Sequence, residues 1–396
     1  MKIGIVFDGD LYVGGGFQYQ KAILNLVKDL KYKYEFVVFT FSPENEKYLR
    51  SIGFKTITLK HKILDKIKRF ILRLDSFSFL LTKINLICNF EKQLEKEGID
   101  LVYFLQPSSL ALDLVKHNYI ITVWDLCHRD YPEFPEVSFN KEFERREILY
   151  TKALKKAVAI ITDSETGKQN IIRRYVIDPD RVYTLPFLPS VNVYNENNID
   201  VKEKYRINTE YYIYYPAQFW AHKNHVYIID AIAILKNKGI YLTAMFSGSD
   251  KGNLKYVLEY AKRMNVSDLV KYIGFAPEDE IYSLYKNALA LVMPTYFGPT
   301  NIPPLEAFEI GVPVIYPDLP GLKEQVGDAA LLVDLNNPNT LAYHLENLIK
   351  SEELRQELIK KGRDRLNEIK IIDRISVLEK IFSNYKLKLK CWKNII

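Results

Sequence analysis

Cysteine is scarce in this chain. Cys88, Cys127 and Cys391 are its three examples in 396 residues, and they stand too far apart for a metal-binding or redox spacing. The simplest reading is a reducing, cytoplasmic setting. Long hydrophobic runs are missing as well. No window reaches the roughly 18 uncharged apolar residues that a membrane-spanning helix needs. The opening Met1 to Asp8 has a short apolar run that soon turns acidic, and it reads as a strand, not a signal peptide. Charge of one sign is barely in excess. A net charge of +6 is too slight to argue for nucleic acid, although it suits an anionic ligand or surface. A dinucleotide fingerprint is also lacking: Gly14-Gly15-Gly16 does not have the G-x-G-x-x-G spacing, and no acidic residue closes the second strand. That argues against a Rossmann-type oxidoreductase. What the chain does have is 48% apolar and 26% charged residues, the balance of a soluble globular protein long enough for two domains. Its aromatic share, 13% with 28 Tyr, points to well-filled cores or sticky surfaces.

Taken in order, Lys2 to Phe7 is a buried-type strand. Asp8 to Gly16 is a glycine-bearing loop, and apolar residues at helical spacing (Ala22, Ile23, Leu26, Val27, Leu30) mark a helix. Glu35 to Phe41 is a second strand, so the chain opens as a doubly wound sheet. Between His61 and Leu86, six basic residues (Lys62, Lys66, Lys68, Arg69, Arg73, Lys83) alternate with large apolar ones. Such a basic amphipathic segment suits an anionic membrane interface, or equally a core helix with a wet basic face. Strands at Leu101 to Phe104 and Ile120 to Val123 follow. The second runs into Trp124-Asp125-Leu126-Cys127-His128-Arg129-Asp130, a cluster of charge where open α/β sheets place ligands. Prolines from Pro179 to Pro189 and an Asn-rich run to Asp200 mark the best boundary. The expected division is a first domain over 1–190, a second over 201–370, and a helix and tail over 371–396.

The second domain opens with the strand Tyr211 to Tyr215, the loop Pro216 to His225 and a helix. Its most informative stretch is Leu291 to Val333: a short strand, a loop rich in Gly, Pro, Thr and Asn, and a helix predicted from near Pro303 to just before Gly311. This order aims the first free N–H groups of the helix, with the positive end of its dipole, at the loop. Thr300, Asn301 and Ile302 are then placed to offer amides to a diphosphate. Glu306, expected in the first turn, could accept hydrogen bonds from hydroxyls such as those of a ribose.

The same stretch resembles the donor-binding signature of the retaining GT-B glycosyltransferases of family 4, written as two glutamates with seven residues between. Glu306, in Pro303-Pro304-Leu305-Glu306-Ala307, matches the second glutamate, which in that family binds the ribose of a sugar nucleotide. Gly311 to Ile315 and Gly321 match the segment that follows. Gly298 stands where the commoner pattern has its first glutamate, so the loop resembles a branch without that side chain. The resemblance implies that Lys223 grips the diphosphate, with Gln218 standing where arginine is commoner. It implies that the Gly274-Phe275 turn is a platform for the base, and that Gly15 and Gly16 lie near the donor phosphates. Asp125 and His128, in a run similar to the family's acceptor-side segment but with Trp124 where histidine is common, would contact the transferred sugar or the acceptor. The implied fold is α/β, two doubly wound domains facing each other across a cleft. The implied activity is sugar transfer from a nucleotide donor to an acceptor hydroxyl, on a polysaccharide or lipid-linked glycan precursor, with retention. No cofactor or metal is required, and the site would lie on the inner face of a membrane if the basic segment binds one. A non-catalytic sugar-nucleotide-binding subunit and a GT-B epimerase are the rival readings.

Overall fold

The strands are short apolar runs buried on both faces, the pattern that forces a parallel sheet with helices packed over each side. In the computed structural model, which describes all residues except 10, 12–13, 61–87, 191–197 and 393–396, these runs form two parallel sheets. Contacts divide the chain into two units. The first comprises Met1–Leu126, Asn140–Pro186 and Asp373–Ile396; the second comprises Cys127–Phe139 and Phe187–Ile372. The segment after Trp124-Asp125 thus packs with the second unit, and the helix Arg374–Leu389 with the first. The basic amphipathic segment at 61–86 lies outside the described residues.

The sheet of the first unit contains β1 (Lys2–Val6), β2 (Glu35–Thr40), β3 (Lys55–Thr58), β4 (Leu101–Phe104), β5 (Tyr119–Thr122), β6 (Ala159–Thr162) and β7 (Val182–Thr184), in the order β3-β2-β1-β4-β5-β6-β7. The sheet of the second contains β8 (Tyr211–Pro216), β9 (Leu242–Ser247), β10 (Val270–Tyr272), β11 (Ala290–Val292), β12 (Val314–Pro317) and β13 (Leu331–Val333), in the order β10-β9-β8-β11-β12-β13. All pairings among these strands are parallel. Strand order reverses between β1 and β4 and again between β8 and β11. At such points the loops leaving the carboxyl ends diverge and open a crevice for a ligand.

β8 alone carries four of the 28 tyrosines. Tyr212, Tyr214 and Tyr215 are all buried, and a buried phenol needs a partner for its hydroxyl. Each has one: Tyr212 donates to the Leu284 carbonyl at 2.8 Å, Tyr214 pairs with Ser247 at 2.8 Å, and Tyr215 donates to the Lys223 carbonyl at 2.8 Å. The strand therefore fixes the loop that follows it as well as filling the core. The long charged stretch near the carboxyl end forms two helices, Glu352–Ile371 and Arg374–Leu389. Arg374 is buried at the break, and its Nε donates to the Pro186 carbonyl at 3.0 Å. Burial alone brings its guanidinium down to about 10.

Candidate functional site

The switch point of the second sheet lies between the loops that leave β8 and β11. Lys223 closes the first loop, its carbonyl held by Tyr215. Its Nζ reaches Asn301 Oδ1 in the second loop at 3.4 Å. Asn301 is itself fixed from several sides. Its Nδ2 donates to Tyr316 Oη at 2.7 Å, its backbone N–H donates to Gln325 Oε1 at 2.9 Å, and its carbonyl accepts from Gln325 Nε2 at 2.6 Å. Sequence reasoning did not find Gln325, which lies in the helix Pro320–Val326.

The helix after β11 runs Ile302–Ile310 and stops at Gly311. Two expectations need correction here. Glu306 is the fifth helical residue, beyond the first turn, because the helix starts at Ile302 and not Pro303. The anion site is also poorer in amides than expected. Asn301 spends its N–H on Gln325, and Pro303 and Pro304 have no N–H to give, so of the first three helical residues Ile302 alone brings a donor. Prolines make a good helix start and a poor anion cradle.

Glu306 is buried. Its Oε1 accepts from the Ser190 hydroxyl, and its Oε2 accepts from Tyr285 Oη at 2.6 Å. Burial pushes its carboxyl above the usual range, against the lowering effect of these hydrogen bonds.

Gly298 has φ +93°, and a Cβ there would come within 2.8 Å of the Thr300 carbonyl oxygen. The backbone itself, therefore, admits only glycine where the commoner signature has glutamate. Thr300 follows in the same loop. Gln218 spends its Oε1 on Trp220 Nε1 at 3.0 Å. Phe275 stands exposed after β10, and the carbonyl of the preceding Gly274 accepts from Gly248 N–H at 2.8 Å.

In the first unit, Gly15 and Gly16 belong to the first turn of the helix Gly14–Lys28. A Cβ on Gly16 would lie 2.9 Å from the Trp124 ring, so the glycine lets the indole lie against the helix start. Asp125 follows Trp124, and its Oδ1 receives Arg146 Nη1 at 3.0 Å. His128, expected to meet sugar or acceptor, is fully buried in the second unit.

The same segment supplies a residue that the sequence did not mark. Glu136 Oε1 accepts from the His222 backbone N–H at 2.8 Å and also from His222 Nδ1. The imidazole stacks on Phe297, with centroids 4.0 Å apart and planes 8° apart. Burial works to raise the Glu136 carboxyl, but the bonds from His222 outweigh it and hold it below the usual range. Glu136 thereby ties the residue before Lys223 to the one before Gly298. The pair is 86 residues apart in sequence, which is why no local pattern betrays it.

Residues 197–365 match the family model described as glycosyl transferases group 1. The chain is 25% identical over 215 residues to an O-antigen chain mannosyltransferase B of Escherichia coli, covering 53% of this chain and 56% of that one. It is 28% identical over 242 residues to the O-antigen chain mannosyltransferase RfbU of Salmonella typhimurium, covering 58% and 61%. The matches thus span a little over half the length of these relatives. Among solved structures, Anabaena HepE in complex with UDP and glucose superposes with a TM-score of 0.71 at 14% identity, covering 98% of this chain and 99% of that one. The fold is that of the GT-B glycosyltransferases. No helix among the described residues is long and apolar enough to cross a membrane.

Proposed function

We propose that this chain is a glycosyltransferase that moves a sugar from a nucleoside-diphosphate donor to an acceptor hydroxyl, with retention at the anomeric carbon, as in family 4. The observation that carries this reading is the pairing at the β8/β11 switch point. Lys223 Nζ sits 3.4 Å from Asn301 Oδ1, and Asn301 opens the helix that holds the buried carboxylate of Glu306. A cation beside the start of a helix that carries a buried carboxylate one turn on suits a ligand with an anionic diphosphate at one end and a diol at the other. The Lys223 ammonium would meet the charge that develops on the departing diphosphate, where preorganised positive charge lowers a barrier most. The Ile302 N–H would add one further donor. Glu306 would take the ribose hydroxyls. Glu136 and His222 would set the direction of both loops.

The O-antigen relatives support a glycan or lipid-linked precursor as acceptor. The segment at 61–86 would bring the enzyme to an anionic membrane surface. Salt-sensitive sedimentation with anionic vesicles tests that part, because each basic residue near such a surface is worth about 1 kcal/mol and is screened within a Debye length. The donor reading is tested with a panel of nucleotide sugars, scored first by thermal stabilisation and then by transfer. A ligand that binds the native state raises the melting temperature, so one sugar nucleotide should stand out. A flat panel would refute the reading. A non-catalytic binding subunit has one observation in its favour: Gln218 and Gly298 both lack the usual polar contact. Stabilisation by a sugar nucleotide without transfer or hydrolysis would decide for it.

A further inference from the structure

The environment of Glu306 divides its two oxygens between partners of different permanence. Tyr285 is fully buried, its ring packed edge-on against Tyr214 with centroids 5.1 Å apart, and its hydroxyl donates to Oε2 at 2.6 Å. It cannot leave without opening the core. Ser190 bonds the carboxylate through its backbone N–H and donates its hydroxyl to Oε1. Yet it sits in a connecting stretch, 185–190, that has no regular structure, and its hydroxyl can turn away while the N–H stays. No helix or sheet ladder holds the Ser190 hydroxyl in place.

We propose that the Ser190 hydroxyl is a placeholder for a ligand hydroxyl: in the empty protein it occupies the Glu306 oxygen that a ribose hydroxyl of the donor takes when it binds. This inference rests on the reading of Glu306 as the diol-binding carboxylate. A hydroxyl of the chain and a hydroxyl of a sugar are the same chemistry, a neutral O–H donor to a buried carboxylate. Exchanging one for the other leaves the count of hydrogen bonds unchanged and never strands the charge. That matters because a buried carboxylate left short of partners is costly. The placeholder therefore keeps the empty site folded, and the donor must displace it to bind. Tyr285 is the fixed positioning residue and Ser190 the exchangeable one.

The test is isothermal titration of UDP, GDP and ADP into the full-length wild type and into Ser190→Ala, Ser190→Thr and Glu306→Gln, with the melting temperature of each without ligand as the check on folding. Ser190→Ala should bind the preferred nucleotide about three- to tenfold more tightly, the worth of one hydroxyl hydrogen bond no longer broken. Its ligand-free melting temperature should fall. Ser190→Thr, which keeps a hydroxyl, should bind like the wild type, and Glu306→Gln should bind more weakly. A merely structural serine would lower the melting temperature without tightening binding. If Ser190→Ala binds with unchanged or weaker affinity while Glu306→Gln weakens binding, the placeholder is overturned and the diol reading stands. If Glu306→Gln binds like the wild type, the diol reading itself falls, and the placeholder with it.

Discussion

Glu91 in the first unit and Glu306 in the second, both buried, show how differently the same side chain can be used. Glu91, in the helix Asn89–Glu97 of the first unit, is fully buried, and its Oε1 gathers the backbone N–H groups of Val115 at 2.9 Å, Lys116 at 2.7 Å and His117 at 3.2 Å, with His117 Nδ1 at 3.3 Å. Glu306, in the second, meets two hydroxyls and the backbone N–H of Ser190. Burial works to raise both carboxyls. The amides and imidazole around Glu91 reverse the effect and hold it below the usual range, whereas the two hydroxyls and the single Ser190 backbone N–H around Glu306 do not, and it stays above. Amide donors fixed in the backbone make a structural staple for the turn at 115–117. Hydroxyl donors, one of them on an irregular segment, leave a carboxylate that a ligand can still recruit.

The largest effect that would sharpen this contrast belongs to Glu91→Ala. Stranding three backbone N–H groups and an imidazole should cost about 3–5 kcal/mol of unfolding free energy, read by chemical denaturation, while nucleotide binding in the folded fraction is kept. A loss below 1 kcal/mol would break the comparison from the structural side.

Lys223→Ala comes next. It should lower kcat about 100- to 1000-fold, as loss of a preorganised donor to developing charge does, and should raise the donor KM by much less. A raised KM with normal kcat would reduce Lys223 to a binding residue. Glu136→Gln is smaller. It keeps an acceptor for the His222 N–H and loses the charge, so it should cost about 1.5–3 kcal/mol of stability. Because Glu136 faces N–H donors, it belongs with Glu91. A change in nucleotide affinity as large as that of Glu306→Gln would dissolve the division between the two kinds of site.

The smallest effect is in the pH dependence of stability. Glu91 titrates lower in the folded protein than unfolded, so its contribution is present above the ordinary carboxylate range and is lost as pH falls through its folded value. Glu306 titrates higher when folded, so its contribution is present at low pH and is lost as pH rises past that range. Denaturation curves between pH 3.5 and 7, roughly the span of ordinary carboxylate titration, should show the wild type losing its advantage over Glu91→Gln on acidification. Against Glu306→Gln it should gain one. Parallel profiles for the two variants would contradict the assignment.

The order of strands and helices was legible in the sequence because buried parallel strands are apolar runs and their crossovers carry helical periodicity. Leu101–Phe104 falls where the pattern puts it. The helix after β11 was legible through Pro303 and Gly311, but its donors were not, since the pattern that signals a helix start is the same one that removes two amides. What stayed hidden was made by long-range packing. Nothing near Cys127–Phe139 tells that it packs with the second unit. Nothing near Ser190 points to Glu306, 116 residues away. His128, expected beside Asp125 to contact sugar or acceptor, is buried in that same segment, which its local sequence does not signal.

The most direct test of the central claim is the pair Glu306→Gln and Glu91→Gln, each measured twice, by denaturation and by titration with the sugar nucleotide that the panel selects. The account predicts that Glu306→Gln weakens binding by about 1.5–3 kcal/mol, the worth of hydrogen bonds to a charged group, and changes stability at neutral pH by less than about 1 kcal/mol. Glu91→Gln should do the reverse. A folded Glu306→Gln protein that binds the nucleotide as tightly as the wild type would contradict it.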